Sequence, residues 1–403
     1  MRDNEIREAG ALVGIALREV SRGVERVHGS IAHRVRGALR RAAGETVVPT
    51  ASGTGTVTSL SYAAVGVGLS GASRLVGAVW ARKGADDRPA GDTAGRVLAM
   101  VNGSHGHLLA ARRSPLALQT SVRHEGRDVE TSASALRAAW PDATSQIAVY
   151  VHGLVVSERE WNAPATTDGA GAGRADREGR VSFPRLLSEE LGLTPITVRY
   201  NTGRRIADNG RDLSTLLGQV ISGWPVPVTR VVLIGHSMGG LVCRSALAEP
   251  AVPDGDWRDL VSDLVTLGSP HEGSWLERAV VRLNPHLHRV SEAAWLAEQI
   301  DGRSDGIRDL VGIPIGRPSR SVRERAVVAT VAGAGRVGRT FGDALVGIDS
   351  AKGDLSDADV AVITGLHHLA LLHDPRVGDQ LLTWLTDTAG TGAQSGVVGP
   401  RAC

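Results

Sequence analysis

Residues 231–249 constrain this chain more than any other stretch. VVLIG is an unbroken run of small or branched apolar residues, and MGGLVCRSALAE resumes with helical spacing after only His236 and Ser237. A buried strand that becomes a helix within two residues leaves no room for a loop. It specifies a strand–turn–helix unit, the building block of a mainly parallel sheet covered by helices. Gly235 and Gly239 fence the turn and remove Cβ atoms that would collide there. Ser237 is thereby lifted above the carboxyl edge of the sheet, at a helix N-terminus whose free N–H groups favour a developing anion. The five-residue pattern alone is weak. With 50 glycines in 403 residues, random placement gives roughly 0.5 matches per chain, so the flanking strand and helix carry the inference.

The same alternation continues on either side. RVLAMVNG, LALQTSVRHEG and SQIAVYVHG read as strands, with ALRAAW as a short helix before the third. A strand at 195–201 precedes a helix in 205–220. Strands at 230–235, 263–268 and 326–333 follow, and a last helix covers about 376–387. The expected fold class is α/β, a mostly parallel sheet with helices on both faces. Residues 160–180 are rich in Gly, Asp and Arg and read as a surface loop.

A serine is a poor nucleophile without a base, and the base needs an acid to orient it. On a strand–turn–helix scaffold of this kind the partners follow in the order serine, acid, histidine. Asp343 in FGDALVGIDSA is the first carboxylate after strand 326–333, ahead of Asp349, Asp354, Asp357 and Asp359. TGLHHLALLHDPRV supplies three histidines. His373, at Leu-His-Asp-Pro, reads as a turn residue, whereas spacing does not separate His367 from His368. Two backbone N–H groups are also needed for the oxyanion. Met238, after the nucleophile, gives one. VYVHGL gives the other, from Leu154, with Gly153 letting the backbone turn inward. His152 has no second ligand at metal-site spacing, and no CxxC, HExxH or phosphate-loop signature occurs. No metal or cofactor is implied.

VYVHG, RYNTG, LIGHSMGGLVCRSAL, VTLGSPHEGS, FGDALVG and HHLALLHDPRV, in that order, resemble the lipase/esterase branch of the α/β-hydrolase superfamily. The similarity is strongest to its bacterial lipase and GPI inositol-deacylase-like members and covers about residues 97–388. The resemblance implies Ser237 as nucleophile, Asp343 as acid and His368 as base, since the family histidine often precedes Leu or Phe. The family acid commonly lies in Asp-Gly-x-Val, and here Ala344 stands where the glycine would be. His271 in GSPHEG falls in a segment that shapes the pocket. The activity implied is cleavage of carboxylic esters, lipophilic ones in particular, through an acyl-enzyme. Thioester hydrolysis and acyl transfer use the same groups, and a non-catalytic binding protein on this fold is a further reading.

This divides the chain into an N-terminal helical extension with a linker (1–90), an α/β-hydrolase domain (91–390) and a tail (391–403). Residues 84–95 read as the linker, and 274–322 read as helices that either cap the site or pack on the core with no gating role. In the cap, Trp275, Leu276, Leu283, Trp295, Leu296 and Ile300 are apolar at helical spacing. Residues 4–41 carry a stripe from Val13 through Leu17, Val20, Val24, Val27 and Ile31 to Leu39. Such a face packs on the protein's own body, pairs with a second copy or lies on a membrane surface. Residues 51–83 suggest a second helical element rich in Gly, Ala and Ser.

The formal charge is +2, from 45 basic and 43 acidic residues, which gives no argument for nucleic-acid binding. The expected partner is a small-molecule ester or lipid. MRDNEIREAG lacks a secretory apolar core, and no 18-residue apolar window lacks charge. The expectation is a cytoplasmic protein, with 4–41 as the element for any peripheral membrane contact. Cys243 and Cys403 do not make a disulfide framework.

Overall fold

The computed structural model describes residues 92–114, 116–162, 180–250, 256–272, 304–310, 322–331, 342–343 and 345–391. Helix α1 (Asp92–Ala111) leads into the hairpin β1 (Ser121–His124) and β2 (Arg127–Val129). After α2 (Ala133–Ala139) come β3 (Gln146–Val151), α3 (Phe183–Leu191), β4 (Thr194–Arg199), α4 (Ile206–Gly223), β5 (Arg230–His236) and α5 (Met238–Ala248). The second half contributes β6 (Val261–Leu267), α6 (Asp305–Asp309), β7 (Arg323–Thr330), α7 (Ile348–Lys352), β8 (Val360–Thr364) and α8 (Pro375–Thr391).

The eight strands form one sheet in the order β2-β1-β4-β3-β5-β6-β7-β8. All pairs from β4 to β8 are parallel, and only β1 runs against them, antiparallel to both β4 and β2. The middle residues of the central strands are mainly apolar because both faces are covered. Ile147, Val149, Val151, Val231 and Leu233 face α4 and α5 in one core cluster. Ala148, Tyr150, Val232, Ile234, Val265 and Val327 face α3 and α8 in another. Each fully buried Val, Leu or Ile in these layers contributes roughly 1.5–3 kcal/mol of apolar burial. The expected α/β architecture is observed, with the carboxyl ends of β3, β5, β6 and β7 converging at one edge.

Three readings need correction. RVLAMVNG is not a strand but the middle of α1, and the helix begins at Asp92, inside the stretch read as linker. Ala99, Met100, Asn102, Gly103, Ser104 and Gly106 are buried, a helical set of spacings that a short apolar run does not distinguish from a strand. Strand β8 was not anticipated, because it is the sheet edge and its residues remain partly exposed. Strand β7 starts three residues earlier than expected, at the charged Arg323, Glu324 and Arg325.

The N-terminal stripe, the 51–83 element, the cap residues Trp275 to Ile300 and most of the tail lie outside the described residues. Cys243 is fully buried, and burial pushes its thiol pKa up. Among the described residues no helix is long and apolar enough to cross a membrane.

Candidate active site

Every residue from Arg230 to Leu247 is buried except Ser237, which is half-buried. The strand stops there because the backbone bends abruptly. Ser237 has φ 54° and ψ −125°, a conformation that a non-glycine residue holds only when its surroundings enforce it. The enforcement is visible. Ser237 N–H donates to Leu267 O at 2.8 Å, and Gly240 N–H donates to Ser237 O at 3.1 Å. A Cβ on Gly235 would lie 2.4 Å from the Gly240 backbone, and one on Gly239 would lie 2.2 Å from Val151 O. Both glycines are therefore required by the close approach of α5 to β3 and β5.

Asp343 and His368 meet behind this turn. His368 Nδ1 lies 2.6 Å from Asp343 Oδ2, and His368 N–H donates to Asp343 O at 3.0 Å. Asp343 Oδ1 accepts from the N–H groups of Leu345 and Val346, at 2.9 and 2.8 Å. One carboxylate oxygen is thus pinned by its own loop and the other is left for the imidazole. Both side chains are buried. With Nδ1–H donating to the carboxylate, Nε2 is the basic nitrogen of His368. The His236 and His368 rings are 4.8 Å apart, which places His368 beside the residue that precedes Ser237.

The other candidates are engaged elsewhere. His367 is adjacent in sequence, but His368 holds Asp343. His373 closes a turn, its carbonyl accepting from Val181 N–H. Asp354 pairs with Arg244, Asp357 with Lys352, and Asp359 accepts from Ser356. The Asp349 carbonyl accepts from Gly353 N–H at the end of α7. His271 accepts from Arg244 at Nδ1, and its Nε2 lies 3.3 Å from Thr266 Oγ1. Burial, and then the Arg244 charge, lower its pKa to about 4.

The turn after β3 passes directly over the serine. A Cβ on Gly153 would lie 3.0 Å from Ser237 Cβ and 3.1 Å from His236 Nδ1. Leu154 follows at once, and Met238 opens α5, where the first N–H groups have no intrahelical acceptor. His152 fixes the base of this turn. Its Nδ1–H donates to Gly153 O at 2.9 Å, its ring stacks on Tyr200 at 4.6 Å, and Tyr200 Oη–H donates to His152 O at 2.7 Å. Burial lowers the His152 pKa to about 4 and that of His236 well below the usual range, so both imidazoles are neutral at pH 7.

Sequence reasoning missed three supporting residues. Tyr200, in RYNTG, fills the space under His152. His236 donates from Nε2 to His368 O at 3.2 Å, tying the turn to the His368 backbone. At Gly268, with φ 60°, a Cβ would meet Asp343 Oδ2 at 3.0 Å and His368 Nδ1 at 3.2 Å. The LGS that ends β6 was the available signal for the last. The described part of 274–322 also reaches the site. A Cβ on Gly306 of α6 would meet Thr202 O at 2.1 Å and Met238 Cε at 3.0 Å, and Asp309 Oδ2 accepts from Ile206 N–H at 2.8 Å to cap α4.

Among the described residues no group of three or more His, Cys, Asp or Glu side chains is arranged to hold a metal ion.

Residues 207–327 match the model of the PGAP1-like alpha/beta domain family. A curated relative, GPI inositol-deacylase A of Yarrowia lipolytica, is 25% identical over 237 residues, which are 52% of this chain and 21% of the relative. The chain therefore spans about a fifth of that relative's length. Among solved structures, the mature lipase BlEst2 of Bacillus licheniformis is 19% identical with a TM-score of 0.44, covering 60% of this chain and 93% of the lipase. The Pyrococcus furiosus esterase Pf2001 is 13% identical with a TM-score of 0.35, covering 62% of this chain and 82% of the esterase. The match to the PGAP1-like alpha/beta domain family runs from α4 into β7, the part of the mostly parallel sheet that contains the Ser237 turn.

Proposed function

We propose that the protein is a serine hydrolase of lipophilic carboxylic esters. The observation that carries this reading is the joint placement of a strained, accessible serine and a buried Asp–His pair at one sheet edge. In the proposed reaction His368 Nε2 takes the Ser237 proton as Oγ attacks the ester carbonyl carbon. Asp343 holds the imidazole in the required tautomer and stabilises the cation that forms. The N–H groups of Leu154 and Met238 receive the negative oxygen. The imidazolium returns its proton to the departing alcohol. Water, deprotonated by His368, then cleaves the acyl-enzyme and regenerates the serine.

The preference for a lipophilic acyl group is supported by the name of the Yarrowia lipolytica relative, GPI inositol-deacylase A, and by the apolar residues at 275–300. A fluorophosphonate probe should label wild-type protein at Ser237 and leave Ser237→Ala unlabelled. Labelling at another residue, or none, contradicts the assignment.

A further inference from the structure

Helix α1 lies outside the matched family segment, and it touches the turn that holds Leu154. A Cβ on Gly103 would fall 2.4 Å from Val155 Cγ1, 3.1 Å from Val155 Cα and 3.2 Å from Val155 N. Val155 directly follows Leu154 and has φ 56°. A β-branched residue rarely adopts the left-handed region, and such backbone persists only where neighbours over-determine it. Two neighbours do so here. Gly103 of α1 presents bare backbone on one side. From the loop after β4, Thr202 Oγ1 accepts from Val155 N–H at 3.4 Å.

The helix is itself fastened to that second loop and to the chain before β1. Asn201 Nδ2 donates to Gly106 O at 3.0 Å, and a Cβ on Gly203 would meet Asn102 O at 2.1 Å. Asn102 Oδ1 accepts from Leu118 N–H, and its Nδ2 donates to Leu116 O, at 2.9 and 2.8 Å. Both Asn102 and Asn201 are buried. The glycines that make RVLAMVNGSHG look unlike a helix are the ones that let it approach two loops at backbone distance.

We infer that α1 is a brace that sets the oxyanion turn, with Gly103 as a positioning residue that holds Val155, and hence the Leu154 N–H, in place. The inference rests on the proposed hydrolase reading. A methyl group at 103 has to displace Val155, whose short, stiff side chain cannot swing aside. Leu154 N–H then leaves the position where the oxyanion forms. Losing one oxyanion donor lowers kcat by about 10²–10³-fold, so partial displacement should lower it by about 10-fold.

The test is Gly103→Ala on the full chain, assayed with a p-nitrophenyl ester and normalised to serines titrated by fluorophosphonate. kcat should fall by about 10-fold with KM changed less than about threefold. Affinity for a trifluoromethyl ketone, whose adduct with the serine carries an oxyanion, should fall in step with kcat. Adding Val155→Gly should restore both, because it removes the Cγ1 that lies at 2.4 Å and the left-handed strain together, leaving only the milder backbone contacts at 3.1 and 3.2 Å. A purely structural role would lower melting temperature without this kcat and ketone signature. Unchanged kcat in Gly103→Ala overturns the inference, as does a loss that Val155→Gly leaves uncorrected. If Gly103→Ala does not fold, Thr202→Val decides. It removes the other support of Val155 and should show the same signature at smaller amplitude, and its absence overturns the inference. A wild type without ester turnover overturns the hydrolase reading and this inference together, whereas an active wild type with an unaffected variant overturns only the brace.

Discussion

The two ends of strand β5 are built on opposite terms. At its amino end Arg230 donates to Ser262 Oγ at 2.9 Å, to Asp263 Oδ2 at 3.2 Å and to Leu385 O at 3.0 Å. Arg325 reaches Asp263 Oδ1 at 3.4 Å and Trp384 O at 2.7 Å. Asp263 is fully buried between these two guanidinium groups, so three strands and α8 are joined through one satisfied ionic cluster. Seven residues along the same strand, the backbone is bent into a disfavoured conformation at Ser237. There the buried atoms His236 Nδ1, His152 Nε2 and Ser269 Oγ have no hydrogen-bond partner among the described residues. Of the two ends of this strand, the one at Ser237 is strained and carries unsatisfied polar atoms, and the other carries a paired ionic cluster. A fold can hold a strained site only if stability is supplied elsewhere, and β5 shows both within one strand.

That comparison can be broken from either end. The largest effect is expected from Asp343→Asn. The amide can present its NH2 to Nδ1 and stabilise the wrong tautomer, so ester turnover should fall by roughly 10³–10⁴-fold, with a melting temperature within a few degrees of wild type. Activity retained within tenfold would contradict the assigned acid. Asp263→Ala should do the reverse. It leaves two buried guanidinium groups without their carboxylate and should lower unfolding free energy by about 3–5 kcal/mol, read from urea denaturation. Its kcat per titrated serine should stay close to wild type.

The smallest effect is on acid stability. His152 and His236 are held neutral by burial, with the folded-state pKa of His152 at about 4, below the unfolded value of about 6.5. Below that value the unfolded chain takes up protons that the folded chain refuses. The His152 contribution is therefore complete above about pH 6.5 and is lost as pH falls toward about 4, at roughly 1 kcal/mol per pH unit, and His236 acts in the same direction. His152→Phe, which keeps a ring on Tyr200, should flatten the urea-midpoint profile over that window. An unchanged slope would mean that His152 is not held neutral.

The site and the fold were legible in the sequence to different depths. The serine turn was readable because both flanking elements are strongly apolar and steric need fixes its glycines. Asp343 was readable as the first carboxylate after β7, and the alternation of strands and helices gave the sheet. His368 could not be told from His367 by spacing, because adjacent residues differ only in which one the turn points at the carboxylate. Helix α1 was misread for a physical reason. Gly103 and Gly106, which argue against a helix by propensity, are retained because Val155 and Asn201 occupy the space of their side chains. Strand β8 was invisible because an edge strand that is half exposed lacks the apolar run of its neighbours. Tyr200 and Gly268 act through contacts distant in sequence, so no local pattern marks them.

The most direct test of the central claim is turnover of a p-nitrophenyl ester by wild type and Ser237→Ala at matched concentrations of folded protein. The account predicts that the alanine variant keeps the wild-type melting temperature and loses roughly 10³-fold or more of kcat. Equal turnover by the two proteins would show that the strained serine at the end of β5 is not the nucleophile.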